Sequence, residues 1–105
     1  MPELSDTKFV HCVYFWLKDD LTPDQIQELE RGLERLAHIE TVKKGYIGVP
    51  ASTDRPIIDR TYDYALILAF DTKEQHDIYQ EHPVHEEFRQ AFGTFWLKVT
   101  IYDVV

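Results

Sequence analysis

The chain has 105 residues and a mass of 12.4 kDa, enough for one domain built around one hydrophobic core. Apolar residues make up 44% of it and aromatic residues 13%, which argues against an intrinsically disordered protein. Its formal net charge of −8 repels phosphate backbones and anionic lipid surfaces, so we expect neither nucleic acid nor a membrane as a partner.

The sequence also carries no sign of export. No apolar run approaches the roughly 20 residues that cross a bilayer. The stretch from Met1 to Lys8 is polar and lacks the apolar segment of a secretion signal. Cys12 is the only cysteine, which excludes an internal disulfide. We therefore expect a cytoplasmic protein with a single domain over residues 1–105 and a folded core over about residues 8–104.

The first predicted element is a strand over residues 9–17, where aromatic and β-branched residues dominate. Its alternate positions are apolar on both faces, which is typical of a strand that is covered on both sides. We expect the chain's own helices to cover one face of the sheet. A second copy of the chain is expected to cover the other, which predicts a homodimer through the open sheet face.

An amphipathic helix is predicted next. Thr22, Pro23 and Gln25 supply an N-cap, a first-turn proline and a capping-box residue, and the helix is expected to end near Ala37 or Ile39. Gly32 lies inside this helix, and we expect it to sit where the helix approaches the sheet. Residues 42–49 and 62–70 predict the second and third strands, separated by a loop over residues 50–60.

Two short helices and a last strand complete the chain. Thr72 caps the first helix, and Pro83 ends it and opens the second, which stops near Gly93. Residues 95–104 form the final strand. The order β-α-β-β-α-β predicts a ferredoxin-like α+β fold, an antiparallel sheet with helices on one face. In this register Trp16 and Trp96 are expected on the open face.

The bend at Pro83 is the predicted site of chemistry, because it brings Tyr79 and His85 together at a helix start. An imidazole suits the removal of a proton beside a carbonyl, and a phenol suits the stabilisation of the resulting oxyanion. We expect these groups to face a small apolar pocket between sheet and helices. The other predicted pocket residues are Phe9, His11, Val13, Tyr64, Leu66 and His82.

Each of these polar side chains also has a purely structural interpretation. Tyr79 could simply occupy a half-buried helix position, and His85 could form a hydrogen bond within its own turn. His11 is also consistent with a hydrogen-bonded histidine of the core. His82 fits a simple N-cap. His11, His82 and His85 together resemble a metal-ligand set, but no acidic residue at fixed spacing accompanies them, so we expect no metal and no cofactor. His76 and His38 stand beside charged residues and are predicted to be exposed.

Several of these motifs together resemble the stress-responsive A/B barrel (Dabb) family. They are His11 in strand one, Phe70-Asp71 at the end of strand three, Tyr79 with His82-Pro83-Val84-His85, and Phe95-Trp96 at the start of the last strand. The resemblance covers nearly the whole chain and implies a dimer whose sheets form a barrel. Plant polyketide cyclases of this family match the chain at their catalytic tyrosine (Tyr79), catalytic histidine (His85) and strand-one pocket histidine (His11). A further pocket histidine is replaced by Tyr64.

Three functions are consistent with these observations. The first is a dimeric Dabb protein that binds a small apolar or aromatic molecule without an assigned activity. The second is a cofactor-free cyclase or lyase with His85 as base and Tyr79 as donor. The third is a cofactor-free monooxygenase of the dimeric ferredoxin-like type. The fold alone does not separate them.

Overall fold

The structure is a computed structural model that describes residues 4–105, so the first three residues of the polar N-terminal stretch lie outside it. The elements run in the order β1 (Phe9–Leu17), α1 (Pro23–Ala37), β2 (Lys44–Gly48), β3 (Tyr64–Phe70), α2 (Lys73–Glu81), α3 (Pro83–Phe92) and β4 (Trp96–Val104). This is the predicted order, with the second helical region divided at Pro83.

The four strands form one sheet in the order β2-β3-β1-β4, and every neighbouring pair is antiparallel. The helices lie on one face of this sheet, where α1 contacts β2 and α2 contacts both β1 and β3. The predicted ferredoxin-like α+β fold is therefore confirmed. The inner position of β1 in the sheet explains why its residues are largely apolar on both faces.

The two faces of β1 differ in burial. The odd positions from Phe9 to Leu17 are all buried beneath the helices. The even positions from Val10 to Trp16 are half-buried and face the other side of the sheet. Tyr102 lies opposite Cys12 on that same side and is largely exposed. We call this side the open face.

Helix α1 begins as its sequence predicts. The Thr22 hydroxyl accepts a hydrogen bond from the Gln25 N–H at 3.1 Å, and the Gln25 side chain accepts one from the Thr22 N–H at 2.8 Å. Gly32 lies where α1 approaches α3. A Cβ atom at this position would lie 2.5 Å from Cε2 of Phe92. The prediction that Gly32 meets the sheet is wrong, because the Phe92 ring occupies that space.

Trp96 lies on the helix face rather than the open face, so its predicted position is wrong. The register between β1 and β4 shifts at Trp16 and Leu17, and Trp96 pairs with Leu17 as a result. Such a bulge inserts an extra residue and reverses the alternation beyond it. The Trp96 ring stacks on Phe88 with centroids 5.9 Å apart. Trp16 remains on the open face, where Lys98 lies over its ring.

None of the helices within residues 4–105 is both long and apolar enough to span a membrane.

Candidate functional site

The bend between α2 and α3 positions the two predicted reactive side chains. The Thr72 hydroxyl accepts from the Gln75 N–H at 3.1 Å and starts α2, which carries Tyr79 in its last turn. His82 has an extended backbone, and its Nδ1 accepts a hydrogen bond from the Val84 N–H at 3.1 Å. This cap starts α3 at Pro83 and places His85 in the first turn.

A cavity of about 290 Å³ lies between the sheet and the helices at this bend. The rings of Tyr79 and His85 meet there almost at right angles, with centroids 5.1 Å apart. The ring of His11 lies 5.7 Å from Tyr79 on its other side. The complete lining consists of His11, Val13, Phe15, Leu36, Leu66, Tyr79, Gln80, His85, Phe88, Arg89, Trp96, Val99 and Ile101.

Tyr79 is a buried phenol without a hydrogen-bond partner among residues 4–105. Burial raises the pKa of its hydroxyl well above the ordinary value, because a phenolate would be poorly solvated there. The hydroxyl therefore stays protonated at neutral pH. It is available as a hydrogen-bond donor to a molecule in the cavity.

His85 is held as a neutral imidazole. Burial lowers its pKa most, and the Arg89 guanidinium adds to this by repelling a second positive charge. The Glu86 carboxylate acts in the opposite direction and is outweighed. Nδ1 of His85 is buried without a hydrogen-bond partner among the described residues. The neutral ring therefore keeps a lone pair that could take up a proton.

His11 is fixed by an acidic residue on the neighbouring strand. The register places Asp103 opposite it, and its Nδ1 lies 2.5 Å from Oδ1 of Asp103. Burial lowers the pKa of His11, and the Asp103 carboxylate opposes this shift without overcoming it. Because a carboxylate accepts hydrogen bonds, Nδ1 carries the proton of the neutral ring.

The structure brings together five of the eight predicted site residues: His11, Val13, Leu66, Tyr79 and His85 all line the cavity. The other three lie outside its lining. Phe9 stacks on His76 with ring centroids 4.4 Å apart. The Tyr64 hydroxyl donates to Glu30 of α1 at 2.7 Å. His82 caps α3 through one nitrogen, and the other lies 3.3 Å from Glu40.

Three ionisable residues at or beside the site were missed from the sequence, and local helical spacing gives a signal for two of them. His76 precedes Tyr79 by three residues and so shares its buried helix face; the prediction that it is exposed is wrong. Arg89 follows His85 by four residues and lines the cavity. Asp103 is found only from the pairing of β1 with β4, which the bulge obscures.

The fold and this site define a class of protein: a ferredoxin-like α+β domain with a small, largely apolar cavity between its sheet and its helices. The chain belongs to the stress responsive A/B barrel domain family, whose model matches residues 9–105. The family resemblance predicted from the sequence motifs is thereby confirmed.

Two proteins of Arabidopsis thaliana illustrate the relationship. The chain is 30% identical over 94 residues to the stress-response A/B barrel domain-containing protein HS1, covering 89% of this chain and 84% of that protein. It is 27% identical over 101 residues to the family member At5g22580, covering 95% of this chain and 87% of the relative.

Solved structures show the same fold. At3g17210 of Arabidopsis thaliana superposes with a TM-score of 0.78 at 27% identity, over 93% of this chain and 94% of that one. A dimeric ferredoxin-like protein of unknown function from Thermobifida fusca gives a TM-score of 0.75 at 23% identity, over 92% of this chain and 89% of that one. The hydroxynitrile lyase of Passiflora edulis gives a TM-score of 0.72 at 19% identity, over 91% of this chain and 90% of that one.

Proposed function

We propose that this chain binds a small apolar or aromatic molecule in the cavity at the α2–α3 bend. The observation that carries the proposal is the lining of that cavity, which is apolar except for His11, Tyr79, Gln80, His85 and Arg89. A few convergent polar groups in an apolar hollow are the usual form of a small-molecule site. Cavities of about 150 Å³ hold a benzene ring. A volume of about 290 Å³ therefore suits one substituted aromatic ring.

Two tryptophan substitutions on β4 test this proposal. Ile101 lines the cavity and is 51% exposed, so Ile101→Trp should close the cavity without disturbing the core. Leu97 is 69% exposed and lies outside the lining, so Leu97→Trp is the matched control. Saturation transfer to acetophenone, measured by NMR, should occur with the wild type and Leu97→Trp and vanish with Ile101→Trp. Equal transfer in all three proteins, or none in the wild type, would overturn the proposal.

A second candidate function is the deprotonation of a carbonyl compound in this cavity. It is favoured by the neutral His85 ring and the protonated Tyr79 hydroxyl. The centroids of the two rings lie 5.1 Å apart. His85 would take a proton from the carbon beside a carbonyl, while Tyr79 donates a hydrogen bond to the enolate oxygen. The enolate carbon would then form a bond to a second carbonyl carbon, whose oxygen receives the proton from His85. This is the aldol-type condensation of a cyclase, and its reverse is a lyase reaction.

The first step of this reaction is measurable without the natural substrate. Acetophenone in D₂O should exchange its methyl protons faster with the wild type than with buffer. His85→Gln should abolish the acceleration, and His38→Gln, which removes an exposed imidazole, should leave it unchanged. Exchange that survives in His85→Gln would exclude this residue as the base. Oxygen consumption with an aromatic substrate would instead indicate the monooxygenase alternative.

We also propose that the chain acts as a homodimer through the open face, in the cytoplasm. The half-buried apolar residues of β1 on that face support a partner there, and the Thermobifida fusca neighbour of the same fold is a dimer. The single Cys12 thiol suits a reducing compartment.

A further inference from the structure

We propose that His11, His76 and Asp103 form a binding site for one divalent transition-metal ion, with zinc as the best match. One ligand atom from each of these three residues lies within 4.8 Å of the other two. Two imidazoles and one carboxylate are a donor set that zinc accepts, with its fourth position left for water. The site adjoins the cavity through His11, but it does not depend on the binding proposed above.

His76 provides the strongest reason for a ligand at this position. It is only 8% exposed, and its Nε2 atom is buried without a hydrogen-bond partner among residues 4–105. A buried polar atom in this state has lost its hydration without compensation, which is costly unless something binds it. A metal ion would satisfy the lone pair of Nε2.

The other nitrogen of His76 is already arranged as it is in metal sites. Nδ1 lies 3.1 Å from Oδ1 of Asp77, and a carboxylate there holds the proton on Nδ1. Nε2 is then the nitrogen with the free lone pair. Histidine ligands commonly donate their second N–H to a carboxylate in this way, which fixes the ring and increases its basicity. Stacking on Phe9, with centroids 4.4 Å apart, holds the His76 ring in place.

Metal binding requires a small rearrangement that the structure allows. Ligand atoms of a tetrahedral zinc ion lie roughly 3.4 Å apart, given bond lengths of about 2.1 Å. The His11–Asp103 pair at 2.5 Å must therefore open, and the ligand atoms at the longest separation must approach each other. Asp103 is able to move, because its side chain is 41% exposed and β4 is an edge strand of the sheet. Where Nδ1 of His11 is the ligand atom, its proton would move to Nε2 of the same ring, so that His11 binds as a neutral imidazole.

Titration of zinc into chelator-treated protein tests the site. A competing chromophoric chelator reports how much of the zinc the protein binds. The wild type should bind one zinc ion per chain. His76→Leu removes the unpartnered nitrogen and leaves an apolar side chain beside Phe9 and Phe70, so binding should weaken by more than roughly 100-fold. Asp77→Asn should weaken binding by about 10–100-fold, because the ring then loses its carboxylate partner. Cobalt in place of zinc should give visible absorption bands in the wild type and none in His76→Leu.

His38→Gln is the matched control, because His38 is an exposed histidine at the C-cap of α1, outside the cluster. Its zinc binding should equal that of the wild type. Asp103→Asn, at a partly exposed position, provides the same test if His76→Leu fails to fold. Three results would each overturn the proposal: a wild type that binds no zinc at roughly millimolar concentration, unchanged affinity in the folded cluster variants, or equal loss of affinity in His38→Gln.

Discussion

Tyr64 is joined to helix α1 by a side-chain hydrogen bond, and this bond makes its ionisation a probe of the fold. Its hydroxyl donates to Glu30, and partial burial together with that carboxylate raises the pKa of Tyr64 from 10 to about 12. The folded protein thus holds this proton more tightly than the unfolded chain. The stabilisation from Tyr64 is complete below pH 10 and is lost as the pH rises toward 12.

We expect the free energy of unfolding to fall less steeply above pH 10 in Tyr64→Phe than in the wild type. Denaturant titrations at a series of alkaline pH values measure this. Tyr46→Phe, at an exposed position, corrects for the loss of one tyrosine and should follow the wild-type profile. Identical slopes in all three proteins would mean that Tyr64 ionises without disturbing the fold.

Tyr79 packs in the core and is also the hydrogen-bond donor of the proposed reaction, and substitution separates these two roles. Its ring contacts the rings of Phe70, His11 and His85, whereas its hydroxyl makes no hydrogen bond within residues 4–105. Tyr79→Phe should therefore change the free energy of unfolding by less than about 1 kcal/mol. Tyr79→Ala should cost about 3–5 kcal/mol through the cavity that it leaves.

Acetophenone exchange gives the second readout for these variants. If Tyr79 stabilises the enolate, Tyr79→Phe should slow the catalysed exchange by about 100-fold, the usual effect of removing one oxyanion donor. A fully active and stable Tyr79→Phe protein would limit this residue to packing.

The proximity of Tyr79 and His85 could be predicted from the sequence, but the partners of the histidines around them could not. The spacing of Tyr79 and His85 around Pro83 is local, so helix rules suffice to bring them together. The pairing of His11 with Asp103 depends on strand register over a long separation, which sequence patterns leave undetermined. The charged neighbour Asp77 predicts an exposed His76, whereas the helical spacing of His76 from Tyr79 decides its burial.

At the level of whole elements, the contact between α1 and α3 is the most sensitive to small changes. Alanine is favoured over glycine by about 1 kcal/mol inside a helix. At position 32, however, the added Cβ atom would meet the Phe92 ring at 2.5 Å, and that ring is itself held by Phe88 and Phe95. Overpacking of this kind costs about 1–3 kcal/mol.

Gly32→Ala should therefore lower the free energy of unfolding by up to about 2 kcal/mol, although alanine has the higher helix propensity. In the background of Phe92→Leu the same substitution should become neutral or stabilising, because the ring is gone. A double-mutant cycle from denaturant unfolding measures this coupling. Additive effects would show that the two helices adjust without strain.

Helix caps and apolar stripes in the sequence made the helices and strands predictable, whereas the bulge in the sheet could not be predicted. Thr22 and Thr72 mark the starts of α1 and α2 correctly, since capping is a local interaction. The bulge beside Leu17 depends on how β4 meets β1, and it moved Trp96 to the opposite face from the one predicted. An error of one residue in a strand exchanges its faces, whereas an error of one residue at a helix end changes little.

For the molecule as a whole, the two faces of the sheet differ in how they are covered. The helices bury one face, while the open face presents Val10, Cys12, Tyr14 and Trp16 with partial burial and Tyr102 at 60% exposure. Contiguous apolar surface of this kind is typical of an interface. A stable interface buries roughly 800 Å² on each partner, which one face of a four-stranded sheet supplies. A second copy of the chain presents the same antiparallel face and so fits a two-fold arrangement.

We expect the wild type to be a dimer in analytical ultracentrifugation at micromolar concentration. Tyr102→Glu should convert it to a monomer, because each interface would bury two unpaired carboxylates related by the two-fold axis. Tyr102 is exposed in the single chain, so the substitution should not prevent folding. Ile57→Glu is the matched control: Ile57 is 83% exposed, lies in the loop between β2 and β3, and should leave the dimer intact. A monomeric wild type would contradict the covered-sheet interpretation, and a dimeric Tyr102→Glu would place the interface on another surface.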